Sequence, residues 1–448
     1  MLTQCLGIER RYTVFLEHIR DLGLLDAYSL KPLMDGKALA KALNTAPGPW
    51  MKDALDVVMA YQLRHPEKAN AEDAIAEVQV SRQGNGNVNG SHIGGELSSS
   101  LVRHFLKLTI RPLFAKARPT TVTDAGRKNT ATVLPKKMTT ESMDESVNRP
   151  WKLERDAYAL DLLRWCVCAL DAEIVEEVWP QIIPPLLTLV DDWEAKYKAL
   201  GIELIRQLLE VTPPPLLART GLGEVFEEAL MPCLTHLPDI TPEQESISLL
   251  NEAYPTLLAL AKVRYPRNEQ EPPKLKLSDI DRHRIKFLDT IIRKGIIYGY
   301  TYCSNYPRIT STLFKHLVPL LDALGIDSVK HLQYLLPIIT ETLSHPFAEA
   351  QIETLVSATK ALQAVILNGW PRMAGCRGEV LKGLTFAWLN VDGVEGDEVE
   401  VLRREMKETV TMLRYAVTNE IDIDAEIAKL VEVNAELGGL FASVESDS

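Results

Sequence analysis

The stretch 172–214, AEIVEEVWPQIIPPLLTLVDDWEAKYKALGIELIRQLLEVTPP, constrains the fold more than any other. It divides into an apolar helical pattern over 174–190, a tight acidic turn at Asp191 and Asp192, and a second helical pattern over 197–211. In the second pattern Tyr197, Leu200, Gly201, Leu204, Ile205 and Leu208 recur at steps of three and four. They therefore share one face, with Lys196, Lys198, Glu203 and Arg206 elsewhere on the cylinder. In the first, Val178, Ile182, Ile183, Leu186, Leu187 and Val190 form a wider apolar surface. Pro180, Pro184 and Pro185 are expected to kink or restart that helix, because each removes an amide donor and crowds the preceding turn. A proline-bearing helix, an Asp turn and a Lys-bearing helix have the form of a HEAT-type hairpin. Such a hairpin cannot bury both faces alone and requires stacked neighbours.

Composition agrees with an all-α, HEAT-like helical-repeat solenoid. The 448 residues suffice for one long solenoid or for two or three ordinary domains. Aromatics make up only 6%, so the apolar weight falls on Leu, Ala, Ile and Val. A formal net charge of −12 disfavours general nucleic-acid binding. The six cysteines are too dispersed for a disulfide framework, and Cys166 and Cys168, two apart on a helix, diverge; buried thiols in a reducing compartment are expected. No basic flank precedes a signal-peptide core, and no uninterrupted apolar run of membrane-spanning length is expected. The cytoplasm is the expected compartment, with the nucleus as a second, and no membrane partner is expected.

The first seventy residues read as a separate module. Leu39 and Leu43 line a short helix, Pro47-Gly48-Pro49 breaks it, and Trp50, Leu55, Val58 and Met59 mark the buried face of the next. The run Pro32-Leu33-Met34-Asp35-Gly36-Lys37-Ala38-Leu39, then Pro47-Gly48-Pro49-Trp50-Met51 and Gln62-Leu63-Arg64, resembles the C-terminal tail of fungal CCA-adding tRNA nucleotidyltransferases. That resemblance implies tRNA as a partner and makes Lys37, Lys41 and Lys52 candidate phosphate contacts; a solvated helix face explains the same lysines. The family's catalytic head needs a Gly-Ser pair followed by an Asp-x-Asp that holds the metal ions, and nothing upstream supplies it. Two Asp-x-Asp triplets, at 279–281 and 422–424, precede helical patterns and read as helix N-caps.

Residues 80–100, rich in Asn, Ser and Gly, are expected to be a flexible linker. This divides the chain into a helical module over 1–79, the linker, and a scaffold over 101–448. From Leu101 an amphipathic helix is expected with Leu101, Phe105 and Leu108 inward. Between Arg103 and Lys137 lie Arg111, Lys116, Arg118, Arg127, Lys128 and Lys136, opposed only by Asp124. A solvated loop is one account of this basic segment; docking onto an acidic partner is the other. Arg111, Lys116, Arg127 and Lys128, with Trp151 at the start of the solenoid, are the candidate partner-binding residues.

Tyr158, Leu162, Trp165 and Leu170 follow on helical spacing. Gly221 and Gly223 precede a helix whose start is crowded by Glu224, Glu227 and Glu228, so a tight turn is expected there rather than an anion site. Thr241, Pro242 and Gln244 have the pattern of a capping box. After a charged break over 264–276, helices are expected at 281–302, 309–324, 329–344, 347–367, 378–390, 398–417 and 424–441, a repeat of about forty residues.

A second resemblance covers far more of the chain. Arg111-Pro112-Leu113-Phe114, Gly126-Arg127-Lys128 and Arg149-Pro150-Trp151-Lys152 are similar to the fungal second Tel-two-interacting protein family. So are Trp179-Pro180 with Pro184-Pro185-Leu186-Leu187, Arg219-Thr220-Gly221-Leu222, and Thr241-Pro242-Glu243-Gln244-Glu245-Ser246. The resemblance implies a subunit of the Triple-T complex, with the Tel-two protein and the first Tel-two-interacting protein as partners. It further implies work with the ninety-kilodalton heat-shock chaperone on maturation of phosphatidylinositol-3-kinase-related kinases, the TOR and ATM types among them.

No nucleophile elbow, Walker loop, zinc-protease helix or EF-hand loop occurs, and the nine histidines are scattered. No catalytic residue, metal site or cofactor is therefore expected. Two functions remain: a non-catalytic co-chaperone scaffold, and a remnant or fusion of a tRNA-processing enzyme.

Overall fold

A computed structural model describes residues 33–43, 50–64, 70–75, 78, 91–117, 119–130, 149–267, 278–346, 348–418 and 421–442. The chain forms two compact units. One comprises 1–118 with 134–182, the other 119–133 with 183–448. The fold is all-α: among the described residues no strand occurs beyond an isolated antiparallel bridge between Val122 and Lys128.

In the first unit α1 (Gly36–Ala42) starts at Asp35, whose carboxylate accepts the amide N–H of Ala38 at 2.7 Å. Leu39 packs with Ala54, Val57, Val58 and Tyr61 of α2 (Trp50–Arg64) and with Ala74 and Val78. Gln62, also buried, accepts the amide of Leu33. Of the expected linker, residues 80–90 lie outside the described residues, while the last ten begin α3 (Ser91–Phe105).

Here the structure corrects the expected inward face. Leu108 is 59% exposed, and Val102, Leu106, Ile110 and Phe114 are buried instead. The cause is a π-helical turn over Leu106–Ile110, between α3 and the short α4 (Arg111–Phe114). A π turn takes an extra residue per revolution, so the buried stripe steps by fours rather than alternating threes and fours. On α5 (Tyr158–Cys168) the buried residues are Ala159, Leu163, Cys166 and Val167, and Trp165 faces outward at 40% exposure. Cys168 is likewise exposed, against the expectation of buried thiols.

The proline-bearing helix α6 (Val175–Val190) neither restarts nor breaks. Val178, Ile182, Ile183, Leu186, Leu187 and Val190 are all buried, and this packing outweighs the local cost of the three prolines. The turn and α7 (Ala195–Val211) follow as the pattern predicts, with Gly201, Ile202, Leu204, Ile205, Leu208 and Leu209 buried. The Asp192 carboxylate accepts the Glu194 amide, and Lys198 Nζ donates to the terminal carbonyl of Val190 at 2.6 Å.

The second unit continues as stacked helical pairs. After α8 (Pro214–Thr220) and α9 (Leu222–Leu230) come α10 (Glu243–Arg264), α11 (Asp279–Ile291), α12 (Tyr298–Cys303) and α13 (Pro307–Leu324). They are followed by α14 (Leu332–Leu343), α15 (Ile352–Gly369), α16 (Met373–Asn390), α17 (Asp397–Val417), α18 (Ile423–Val433) and α19 (Gly438–Phe441). One layer runs α7, α10, α13, α15, α17, each helix packed on the next, while α14 packs on α16 beside it. Packing between successive neighbours is the signature of a helical-repeat solenoid. A second π turn, Ile292–Ile297, joins α11 to α12.

Two helix starts differ from expectation. Ser278, not Asp279, caps α11 by accepting the Asp281 amide, because the shorter hydroxyl side chain already sits at the cap. The expected capping box at α10 is absent: Gln244 accepts instead from the Arg308 guanidinium, and Thr241 Oγ1 lies 3.3 Å from His236 Nδ1. Asp422 does cap α18, accepting the Ala425 amide.

By length and composition the segment Pro307–Leu343 is apolar enough to cross a membrane, but Arg308, Lys315, Asp322, Asp327 and Lys330 interrupt it, and 56% of its most apolar window is buried inside the protein.

Candidate functional site

The basic segment is the surface the sequence singles out, and its members fall in different settings. Arg111 and Lys116 belong to the first unit, Arg127 and Lys128 to the second. Arg111 is exposed on the turn α4, and that turn is held from beneath by Phe114. Phe114 stacks on Trp151 with ring centroids 5.1 Å apart and planes within 7°. Trp151 is fully buried, which corrects its place among the surface candidates: the ring completes the core under α4 and leaves nothing for a partner to touch. Arg111, Lys116 and Arg127 are exposed, and no described residue forms an ion pair with them.

Lys128 is committed within its own unit. Its amide donates to the Thr220 carbonyl at 2.9 Å, and its Nζ pairs with Glu224 and, at 3.9 Å, with Glu228. Arg264 closes the other side of the same acidic group, pairing with Glu227 and with Glu224. The hydrogen bond from Lys128 holds the Glu224 carboxyl below its usual range, and the same bond raises the Lys128 ammonium. Gly221, at φ +69°, makes the left-handed turn that presents Glu224 to Lys128. The three glutamates at this helix start thus serve an internal network. Arg103 is similarly occupied, its guanidinium against the Glu177 carboxylate at 2.8 Å. The positive character of the segment therefore rests on fewer residues than its composition suggests.

In the N-terminal module Lys37 and Lys41 are both exposed on α1, and the side chain of Lys52 lies outside the described residues. Among the described residues no group of three or more His, Cys, Asp or Glu is arranged to hold a metal ion. Burial pushes the thiols of Cys166 and Cys233 up to about 12 and about 11, which disfavours the thiolate form of both near neutral pH.

Sequence patterning misses one feature entirely. Where α12, α13 and α14 meet the start of α15, a cavity of about 420 Å³ opens to solvent. Tyr300, Thr310, Thr354 and Leu355 are its buried lining, and Glu341, His345 and Gln351 are exposed around it. The Tyr300 hydroxyl lies 3.2 Å from Thr342 Oγ1 and 3.4 Å from Glu341 Oε2. These residues come from two separate segments, 300–310 and 341–355, and none carries a motif.

A sequence profile of the Tti2 family matches residues 65–350, more than half of the chain. TEL2-interacting protein 2 of Saccharomyces cerevisiae is 24% identical over 244 residues, 52% of this chain and 55% of that protein. TELO2-interacting protein 2 of Mus musculus is 25% identical over 203 residues, 45% of this chain and 36% of that protein. The nucleotidyltransferase lcsQ of Purpureocillium lilacinum is 47% identical over 68 residues, 15% of this chain and 11% of that protein. The chain thus spans between 11% and 55% of the length of these relatives. No solved structure matches. On the extent of the profile match, carried by the same helical pairs that build the solenoid, the chain belongs to the Tti2 family.

Proposed function

We propose that this chain is a non-catalytic scaffold that binds a Tel2-type protein and the first Tel-two-interacting protein as a subunit of the Triple-T complex. Through them it acts with the ninety-kilodalton heat-shock chaperone in maturing phosphatidylinositol-3-kinase-related kinases, in the cytoplasm and the nucleus. The observation that carries the reading is the family match over 65–350. Two relatives bearing the name of a Tel2 interaction support it. A helical-repeat array offers extended surface for large partners, which suits a scaffold better than a catalyst. The test is co-purification of the full chain with a purified Tel2-type protein and first Tel-two-interacting protein, with kinase abundance followed after depletion of the chain. A stable ternary complex and falling kinase levels are expected. Failure to bind at micromolar concentration would sink the scaffold assignment; binding with unchanged kinase levels would remove the maturation role alone.

A second reading concerns the N-terminal module, on the strength of its 47% identity to a nucleotidyltransferase over 68 residues. In it Lys37 and Lys41, exposed on α1, contact tRNA phosphates with Lys52. A gel-shift assay with tRNA tests it, alongside incorporation of CTP and ATP into truncated tRNA. We expect no incorporation. Salt-sensitive binding weakened by reversing the three lysines supports the reading, and unchanged binding removes it.

A further inference from the structure

The rod formed by α11, the π turn Ile292–Ile297 and α12 turns one ridge to solvent. Lys286, Thr290, Lys294, Tyr298 and Tyr302 follow one another at steps of four, with Arg293 beside them. In a regular helix steps of four drift around the cylinder, and the wider π turn offsets that drift, so these positions stay on one side. All are exposed except Thr290, which is half-buried, while Leu288, Ile291, Ile292 and Tyr300 are buried behind them. From 286 to 302 the sequence holds three cations, Lys286, Arg293 and Lys294, and a single carboxylate, Asp289. That carboxylate is committed: Lys330 Nζ pairs with it at 2.6 Å, and His331 Nε2 lies 2.8 Å from it. No described residue forms an ion pair with Lys286, Arg293 or Lys294. In a chain of net charge −12 the ridge is a positive strip.

The strip ends in an aromatic pad. Tyr298 and Tyr302 are 42% and 58% exposed, and their rings lean together with centroids 4.4 Å apart. Rings that already hold each other lose little further freedom when a partner lands on them, and each offers a large apolar surface. The three cations span about 12 Å along the rod, at 1.5 Å per residue, and the whole ridge about 24 Å. Cations so spread, in an acidic chain, suit separate carboxylates on a polypeptide better than the dense charge of a nucleic-acid backbone. About seven residues of extended chain cover that length.

We propose that this ridge docks an acidic polypeptide segment. Its carboxylates lie against Lys286, Arg293 and Lys294, and an apolar side chain packs on the Tyr298 and Tyr302 pair. Charge complementarity selects the occupant, and the tyrosine pad supplies the apolar contact beside it. The inference goes beyond the scaffold reading and holds whichever protein carries the segment.

Selection from a displayed library of random peptides, about 16 residues long, on the full chain tests it. Subtraction is done on the chain carrying Lys286→Glu, Arg293→Glu and Lys294→Glu. That variant should keep its circular-dichroism spectrum and melting temperature, because no described residue pairs with the three cations. Should it fold poorly, Lys286→Gln with Lys294→Gln replaces it. Peptides held by the unaltered chain and lost by the variant should carry an excess of Asp and Glu and at least one aromatic or aliphatic residue. Fluorescence anisotropy with a selected peptide should show the triple reversal weakening binding about tenfold, and Tyr298→Ser with Tyr302→Ser about fivefold. Affinity for the unaltered chain should fall between about 50 and 300 mM salt, and stay level for the triple variant. The proposal is overturned if no peptide is lost in the subtraction, or if those lost carry no acidic excess. It is equally overturned by affinity that is indifferent to salt, or unchanged in the tyrosine variant. Tighter binding of a thymidine oligonucleotide of about 20 nucleotides than of the selected peptide overturns it in favour of nucleic acid.

Discussion

Trp151 and Phe114 lie face to face, 5.1 Å between centroids, with the indole wholly shielded from solvent. The pair ties the chain after position 149 to the turn that displays Arg111. Trp151→Ala should therefore cost about 3–5 kcal/mol of stability, and a double-mutant cycle with Phe114→Ala should give a coupling of about 0.5–1.5 kcal/mol. Chemical denaturation measures both. A Trp151 variant that loses a partner while keeping its denaturation midpoint would show a contact role for the ring after all.

Arg111, Lys116 and Arg127 should behave differently from Lys128. Reversal of the first three to Glu leaves helicity and melting temperature nearly unchanged, because no described residue pairs with them, yet slows association with an acidic partner and flattens its salt dependence. Lys128→Glu sets a new carboxylate against Glu224 and Glu228 and lowers the melting temperature instead. Stopped-flow association rates against salt, with circular dichroism on each variant, separate the two behaviours. If the triple reversal leaves rate and salt slope as they were, the segment is only a solvated surface.

Gly201 is required by contact rather than by conformation. A Cβ there would meet the Val190 amide nitrogen at 2.7 Å and Leu189 Cβ at 2.8 Å. Gly201→Ala should thus destabilise by about 1–3 kcal/mol despite the gain in helix propensity. Leu208→Ala, in the same buried face, should cost about 2–5 kcal/mol. Urea midpoints test the pair, and a stabilised Gly201→Ala protein would mean that α6 and α7 have room to part.

His316 stacks on Tyr254 and lies 2.9 Å from Asn251 Oδ1. Burial, with Lys315 adding to it, pushes its pKa down to about 4 from 6.5. The folded protein then refuses a proton that the unfolded chain accepts below about pH 6.5. The histidine contribution to stability is complete above that pH and is lost between about 6.5 and 4, at up to about 1.4 kcal/mol per unit. Melting temperatures from pH 7.5 to 4.5 should fall less steeply for His316→Gln than for the unaltered chain. Parallel curves count against it.

Much of the fold is legible because a leucine-rich solenoid writes its burial into three- and four-residue steps, as α7 shows from Gly201 to Leu208. The errors cluster where that rhythm changes. A π turn moved the buried stripe from Leu108 to Leu106 and Ile110, and nothing local in LKLTI announces it. On α5 the small buried residues Ala159 and Cys166 carry less apolar weight than the outward Trp165, so spacing alone points the face toward the indole. The basic candidates were visible as charges, but whether a charge is spent depends on residues nearly a hundred positions away, as with Lys128 and Glu224. The cavity at Thr310 was invisible for the same reason: its walls are brought together by packing, and no one of its residues predicts it.

The wide turn at Ile292–Ile297 acts as a phase shifter between α11 and α12. It takes up one extra residue, so that Ile285, Leu288 and Ile291 ahead of it and Tyr300 and Cys303 beyond it all face inward. Removing one residue from the turn would leave an ordinary α-helical revolution and keep everything downstream on its present face. Tyr300 would stay beside Glu341 and Thr342, with Tyr298 and Tyr302 still outward. The same deletion in the regular helix α13 would instead turn all that follows within that helix by about 100°, so the wide turn is the place in this layer where the chain can lose a residue without losing its register.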